Sequence, residues 1–164
     1  MRDDFERRIL LNESLGAILA WQFAAEHVQR SVEGDAPSLP AFLIAVPLTL
    51  HGPTVRKIKT MRFDSGLIRA VSDEPELTLS AQAWIEALAP ISLRSLQVAS
   101  SAGLLAREEV AGFPTYRPVR DRLPAEVSAD GSEVRDMLAA ARRLGAWMAQ
   151  EGVAATCWHL RIGI

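Results

Sequence analysis

The stretch from Pro37 to Thr54 constrains this chain more than any other: Pro37-Ser38-Leu39-Pro40, an almost unbroken apolar run from Ala41 to Leu50, then His51-Gly52-Pro53-Thr54. A run of that kind is tolerated in water only when it is buried, and Pro47 removes a backbone donor from its middle. The pattern predicts a core element that is kinked or stopped at Pro47 and held between two proline turns. With helical periodicity on both sides of it, the chain reads as a compact, mostly helical domain.

At 164 residues the chain is long enough to bury a core of its own, and it reads as one domain over 1–164. Its parts are a helical N-terminal portion over 11–75, a winged-helix-like unit over 78–119 and C-terminal helices over 132–164. Hydrophobic residues make up 49% and charged residues 23%, near the globular norm, which excludes a disordered chain. No apolar run reaches the roughly eighteen residues that a bilayer span needs, and the start, Met1-Arg2-Asp3-Asp4-Phe5-Glu6, is acidic where a secretion signal is basic. A cytoplasmic protein without membrane contact is expected. Cys157 is the only cysteine, so neither an internal disulfide nor a thiolate metal site can form.

The net charge of −2 argues against a protein that coats nucleic acid by bulk electrostatics. Local charge is another matter. No acidic residue lies between Asp35 and Asp64, and Arg56, Lys57, Lys59 and Arg62 fall together after the proline turn. Such a cluster serves as a solvated face, as the rim of a partner surface or as a phosphate contact.

Several helices carry their own end signals. Asn12 is placed to cap a helix from Glu13, in which Leu15, Ile18, Leu19 and Phe23 share one face and Trp21, Ala24, Ala25 and Val28 another. Apolar around most of its circumference, it is expected to be the central helix. A weaker helix is expected over 65–72, ended at Asp73-Glu74-Pro75. Ser80 then reads as the cap of a helix carrying Ala81, Trp84, Ile85 and Leu88, which Pro90 stops. Ser92 reads as the cap of a second helix carrying Leu93, Leu96 and Ala99, with Gly103 placed to end it.

After these come Leu104-Leu105-Ala106-Arg107, a turn through Glu108 to Gly112, and Phe113-Pro114-Thr115-Tyr116-Arg117. Helix, turn, helix and hairpin in that order predict a winged helix-turn-helix, with Pro114 and Pro118 keeping the outer strand at an edge. Residues 120–131 read as a surface loop. Asp130 and Glu133 have capping-box spacing, and Val134, Met137, Leu138, Ala141, Leu144 and Met148 repeat at three and four until Gly152. The tail over 154–160 reads as a further helical turn or two. The expected class is mainly α with a small β-hairpin (α+β).

The chemistry-bearing inventory is thin. His27, His51 and His159 are far apart in sequence, and the paired nitrogen and sulfur ligands of a structural zinc site do not occur. Phosphate-binding loops of the forms GxxxxGK[ST] and GxGxxG are absent, as is a GxSxG nucleophile elbow. No catalytic site, cofactor or metal is expected. Of the four tryptophans, Trp158 differs, because it sits in a short C-terminal tail with Leu160, Ile162 and Ile164. That tail carries more apolar surface than a terminus needs, which suggests an interface.

The succession Leu11-Asn12-Glu13, Ser38-Leu39-Pro40 with its apolar run to Pro47-Leu48, and Leu50-His51-Gly52-Pro53-Thr54 resembles the middle component of bacterial three-component ABC systems. Leu88-Ala89-Pro90, Leu93-Arg94-Ser95-Leu96 and Gly103-Leu104-Leu105 are similar to that family's central segment. Leu144-Gly145-Ala146-Trp147-Met148-Ala149 and the ending in Gly163 match its closing pattern, although Cys157-Trp158-His159-Leu160 is more polar than the family's tail. The resemblance implies a non-catalytic subunit that connects an ABC-type ATPase to an effector subunit, in defence against phage or other mobile elements.

Two functions from different classes follow. The first is a protein adaptor whose contacts include His51, Pro53, Trp158, Leu160 and Ile162, partnered by the ATPase, the effector or a second copy of the chain. The second is a winged-helix DNA-binding regulator using Arg56, Lys57, Lys59 and Arg94. Helix 93–102 carries only Arg94 and Gln97 among small residues, which suits packing against protein better than a phosphate-lined groove.

Overall fold

The Asn12 side-chain oxygen accepts the backbone N–H groups of Ser14 and Leu15 at 3.0 and 3.1 Å, and from this cap the first helix, α1, runs over Glu13–Arg30. The cap satisfies two of the donors that every helix start leaves open. The computed structural model describes residues 12–123 and 132–163, together with Asp4. Leu15, Leu19, Trp21, Phe23 and Ala24 are all buried, so α1 is covered on several faces at once.

The apolar run forms α2, Leu39–Leu50, followed directly by α3, Gly52–Ile58. Pro47 does not stop α2, which continues three residues beyond it. The one bond that Pro47 forgoes is that to the carbonyl of Leu43, a residue that is only partly buried. His51 ends one helix and opens the next in extended geometry (φ −91°, ψ 106°). A short α4, Leu67–Asp73, leads into α5, Pro75–Ser101.

Here the expected turn is corrected. Helix α5 is continuous over 27 residues: it starts at Pro75 rather than after Ser80, and Pro90 lies inside it. Ser80 and Ser92 are not caps; their hydroxyls donate to the carbonyls of Glu76 and Leu88 within the helix. Glu86, whose carbonyl loses the donor that Pro90 lacks, and Pro90 itself are both exposed. The buried stripe Ala81, Ile85, Leu88, Ser92, Ser95 and Ala99 passes Pro90 unbroken, and its burial outweighs one lost solvent-side bond.

Gly103 does end α5. At φ +70° it carries a left-handed turn in which Leu104 N–H reaches Ala99 O at 2.9 Å and Gly103 N–H reaches Ser100 O at 3.2 Å. The antiparallel hairpin follows, β1 over Leu105–Val110 and β2 over Phe113–Pro118, in register from Leu105 opposite Pro118 to Val110 opposite Phe113. Its base is fastened to the loop before α2 by Tyr116 N–H donating to Pro37 O at 3.1 Å. Tyr116, Phe42 and Phe23 then stack edge to face into the core at 5.4 and 5.3 Å.

The last helix, α6, spans Ser132–Leu160 with a break at Gly152, whose φ of 81° and ψ of 167° are not helical. The expected cap at Asp130 and most of the 120–131 loop lie outside the described residues. Among the described residues the chain therefore is mainly helical with one small hairpin. Helix α1 is central, packing most extensively on α6 and then on α5. Two glycines permit the close approach: a Cβ on Gly145 would lie 2.5 Å from Phe23 O of α1, and one on Gly16 would lie 2.0 Å from Ser95 Oγ of α5.

Candidate functional site

The turn between α2 and α3 positions His51 through its neighbours. Its Nδ1 lies 2.7 Å from Thr54 Oγ1, and its ring lies 4.9 Å from Trp84 on α5, tilted by 53°. Burial, reinforced by the nearby charge of Arg56, lowers the imidazole's pKa from its ordinary value. His51 is thus half-buried and engaged inside the protein, whereas Pro53 beside it is exposed.

The basic residues of the cluster after the proline turn, and Arg94, are mostly paired with carboxylates. Lys57 meets Asp73 at 3.3 Å, Lys59 meets Asp136 of α6 at 2.7 Å, Arg62 meets Asp64 at 3.1 Å and Arg94 meets Glu13. Only Arg56 of the cluster has no carboxylate partner among the described residues. The pairing offsets part of the positive charge on which a phosphate-tracking surface depends.

The tail divides into two. Beyond Gly152 the helix ends in a left-handed turn at Arg161 (φ 54°), with Ile162 N–H reaching Cys157 O at 3.0 Å. Gln82 of α5 then holds Gly163, accepting its N–H at 3.0 Å. This geometry turns Leu160 and Ile162 inward, to 2% and 8% exposure, while Trp158 stands 82% exposed. The expected apolar patch is corrected accordingly: Leu160 is core, and Trp158 is presented with Ala154, Cys157, Arg161 and the mostly buried Ile162 around a shallow depression. Ile164 lies outside the described residues.

A family model for the Middle Component 3 of ABC-three component (ABC-3C) systems matches residues 2–163. The chain belongs to that family. No curated protein and no solved structure is significantly similar to it.

In this middle component, no three His, Cys, Asp or Glu side chains cluster as a metal site needs among the described residues, and no described helix is long and apolar enough to cross a membrane. Sequence reasoning missed one constellation. Phe63, in the loop before α4, is ringed by the guanidinium groups of Arg30, Arg142 and Arg143 at 4.9, 5.4 and 4.8 Å from its centroid. Buried Glu26 of α1 receives Arg30 at 2.9 Å and Arg142 at 3.4 Å. The pairs Glu26–Arg30 and Arg142–Arg143 were visible as spacings, but nothing local ties them to Phe63.

Proposed function

We propose that this middle component is a non-catalytic, cytoplasmic connector between the ATPase and the effector of its system, in defence against phage or other mobile elements. One observation carries the reading. Trp158, 82% exposed, is a large rigid side chain on a helical segment set off by Gly152, and its own flanking residues Leu160 and Ile162 are anchored in the core. Exposed tryptophans on firmly held elements are disproportionately the side chains that bind partners, since they bury much area at little cost in side-chain entropy. The carboxylate pairing of Lys57, Lys59 and Arg94 supports a protein partner over DNA.

The test is capture of the co-expressed ATPase by tagged wild-type protein and by Trp158→Ala. Capture should fall by about tenfold or more, the loss expected of an interface hot spot, with an unchanged melting temperature. Undiminished capture rejects Trp158 as the contact. Loss of a homodimer in sedimentation, without loss of ATPase capture, assigns Trp158 to a second copy of the chain. Nucleotide hydrolysis by the purified chain, or tight binding to one DNA sequence, overturns the connector reading.

A further inference from the structure

We propose that the arginine cluster around Phe63 is a second docking surface, one that receives an acidic segment of a protein partner. The cluster shares no residue with the Trp158 turn, so the two readings stand or fall separately. Its parts come from three places in the chain: Arg30 at the end of α1, Arg62 and Phe63 from the loop before α4, and Arg142 and Arg143 from α6.

Charge is not balanced there. Arg30, Arg62, Arg142 and Arg143 bring four guanidinium groups, against which stand two carboxylates, Glu26 and Asp64. Glu26 is spent on Arg30 and Arg142, and its side chain is only 5% exposed, so it is the internal counter-ion that holds the cluster together. Arg143 is spent on backbone, donating to Met61 O at 2.6 Å and to Ala139 O at 2.9 Å. Among the described residues no further carboxylate takes up the excess of two positive charges.

The guanidinium edges remain available. Arg30 and Arg142 keep 39% and 48% of their side chains exposed, and Arg62 keeps 83%. Their contacts to Glu26 and Asp64 use one of the five donors that each guanidinium carries. Arg30, Arg62, Phe63, Asp64 and Gln150 line a shallow pocket, so the donors open onto a depression and not onto a convex surface. Phe63 holds the groups in place through its ring face, and its carbonyl is itself fixed by Trp147 Nε1–H at 3.0 Å. Arginines pre-positioned in this way suit carboxylates bidentately.

The occupant follows from the extent of the charge. A nucleic acid would require positive potential along a track, but Lys57, Lys59 and Arg94 are neutralised by Asp73, Asp136 and Glu13 and the whole chain is net negative. At this cluster the excess is two charges, gathered at one shallow depression. That matches one or two Asp or Glu side chains on a peptide.

The experiment is fluorescence anisotropy with a labelled poly-glutamate peptide at low salt, on the full chain. Wild type should bind, and Arg30→Gln and Arg62→Gln should each weaken binding by about tenfold, as loss of one charge-assisted contact does. Arg94→Gln, which removes an equal charge elsewhere, should leave it unchanged. Arg62→Gln touches only an exposed ion pair and will fold, so its result stands even if Arg30→Gln is destabilised. Equal binding by Arg62→Gln and wild type overturns the proposal. So does a single-stranded oligonucleotide of matched charge that binds more tightly than the peptide and is lost in the same variants.

Discussion

The indole N–H of Trp84 donates to the carbonyl of Pro47 at 2.8 Å. That carbonyl would ordinarily accept from the residue four positions on, but His51 N–H goes to Leu48 O instead, at 3.2 Å. The tightened end of α2 thus leaves an acceptor open, and α5 supplies the donor from outside. The same indole packs against the His51 ring, so one side chain braces both the proline-bearing turn of α2 and the joint to α3.

Removing that donor while keeping an aromatic ring isolates its contribution. Trp84→Phe should lower stability by about 1–3 kcal/mol, the cost of an acceptor left unpaired away from water. The urea midpoint reads it. An unchanged midpoint would mean that water replaces the indole.

Gly145 lets α6 approach the backbone of α1 closely. A Cβ there would sit 2.5 Å from Phe23 O and 3.1 Å from His27 N, both main-chain atoms that cannot swing aside. Gly145→Ala should therefore cost about 1–3 kcal/mol or more despite alanine's better helix propensity. Gly163→Ala, with nothing within 4 Å of its new methyl, is the control and should stay within about 0.5 kcal/mol of the parent. Equal melting of both variants would show that the helices can separate without loss.

What the sequence made legible was local chemistry. The Asn12 cap, the Gly103 terminator and the hairpin each depend on a few neighbouring residues whose conformational preferences decide the outcome. Pro90 defies the rule that proline stops a helix because the buried stripe from Ala81 to Ala99 runs past it at spacings of three and four. The tail was half legible: its apolar content marked it as special, yet which side chains face inward depends on the left-handed turn at Arg161 and the Gln82 clamp. The Phe63 cluster was not legible at all, since its arginines meet only when α1 lies on α6.

Two histidines tie stability to pH. Burial lowers the pKa of His27, outweighing the nearby Asp35 carbonyl and charge, and burial followed by the charge of Arg56 lowers that of His51. In the unfolded chain both return to about 6.5. The unfolded state then binds more protons, so the stability that these residues contribute is complete above about pH 6.5 and is lost as pH falls toward their folded values. Urea midpoints should decline across that window, and the double variant His27→Gln/His51→Asn should decline less. Identical slopes would place the titration on other groups.

Deleting everything after Gly152 is the obvious way to remove the Trp158 surface, and the buried faces of the tail predict that it does more. Thr156 is fully buried, Leu160 and Ile162 nearly so, and Gly163 is held by Gln82 on α5. Burying a leucine or isoleucine side chain contributes about 1.5–3 kcal/mol each. The truncation should thus lose roughly 3–6 kcal/mol on those two residues and melt well below the parent by circular dichroism. Trp158→Ala leaves the anchors in place and should change stability by no more than about 0.5 kcal/mol. A truncation that melts like the parent would show that Leu160 and Ile162 contribute nothing to the core, and Trp158 would then belong to a loosely attached segment.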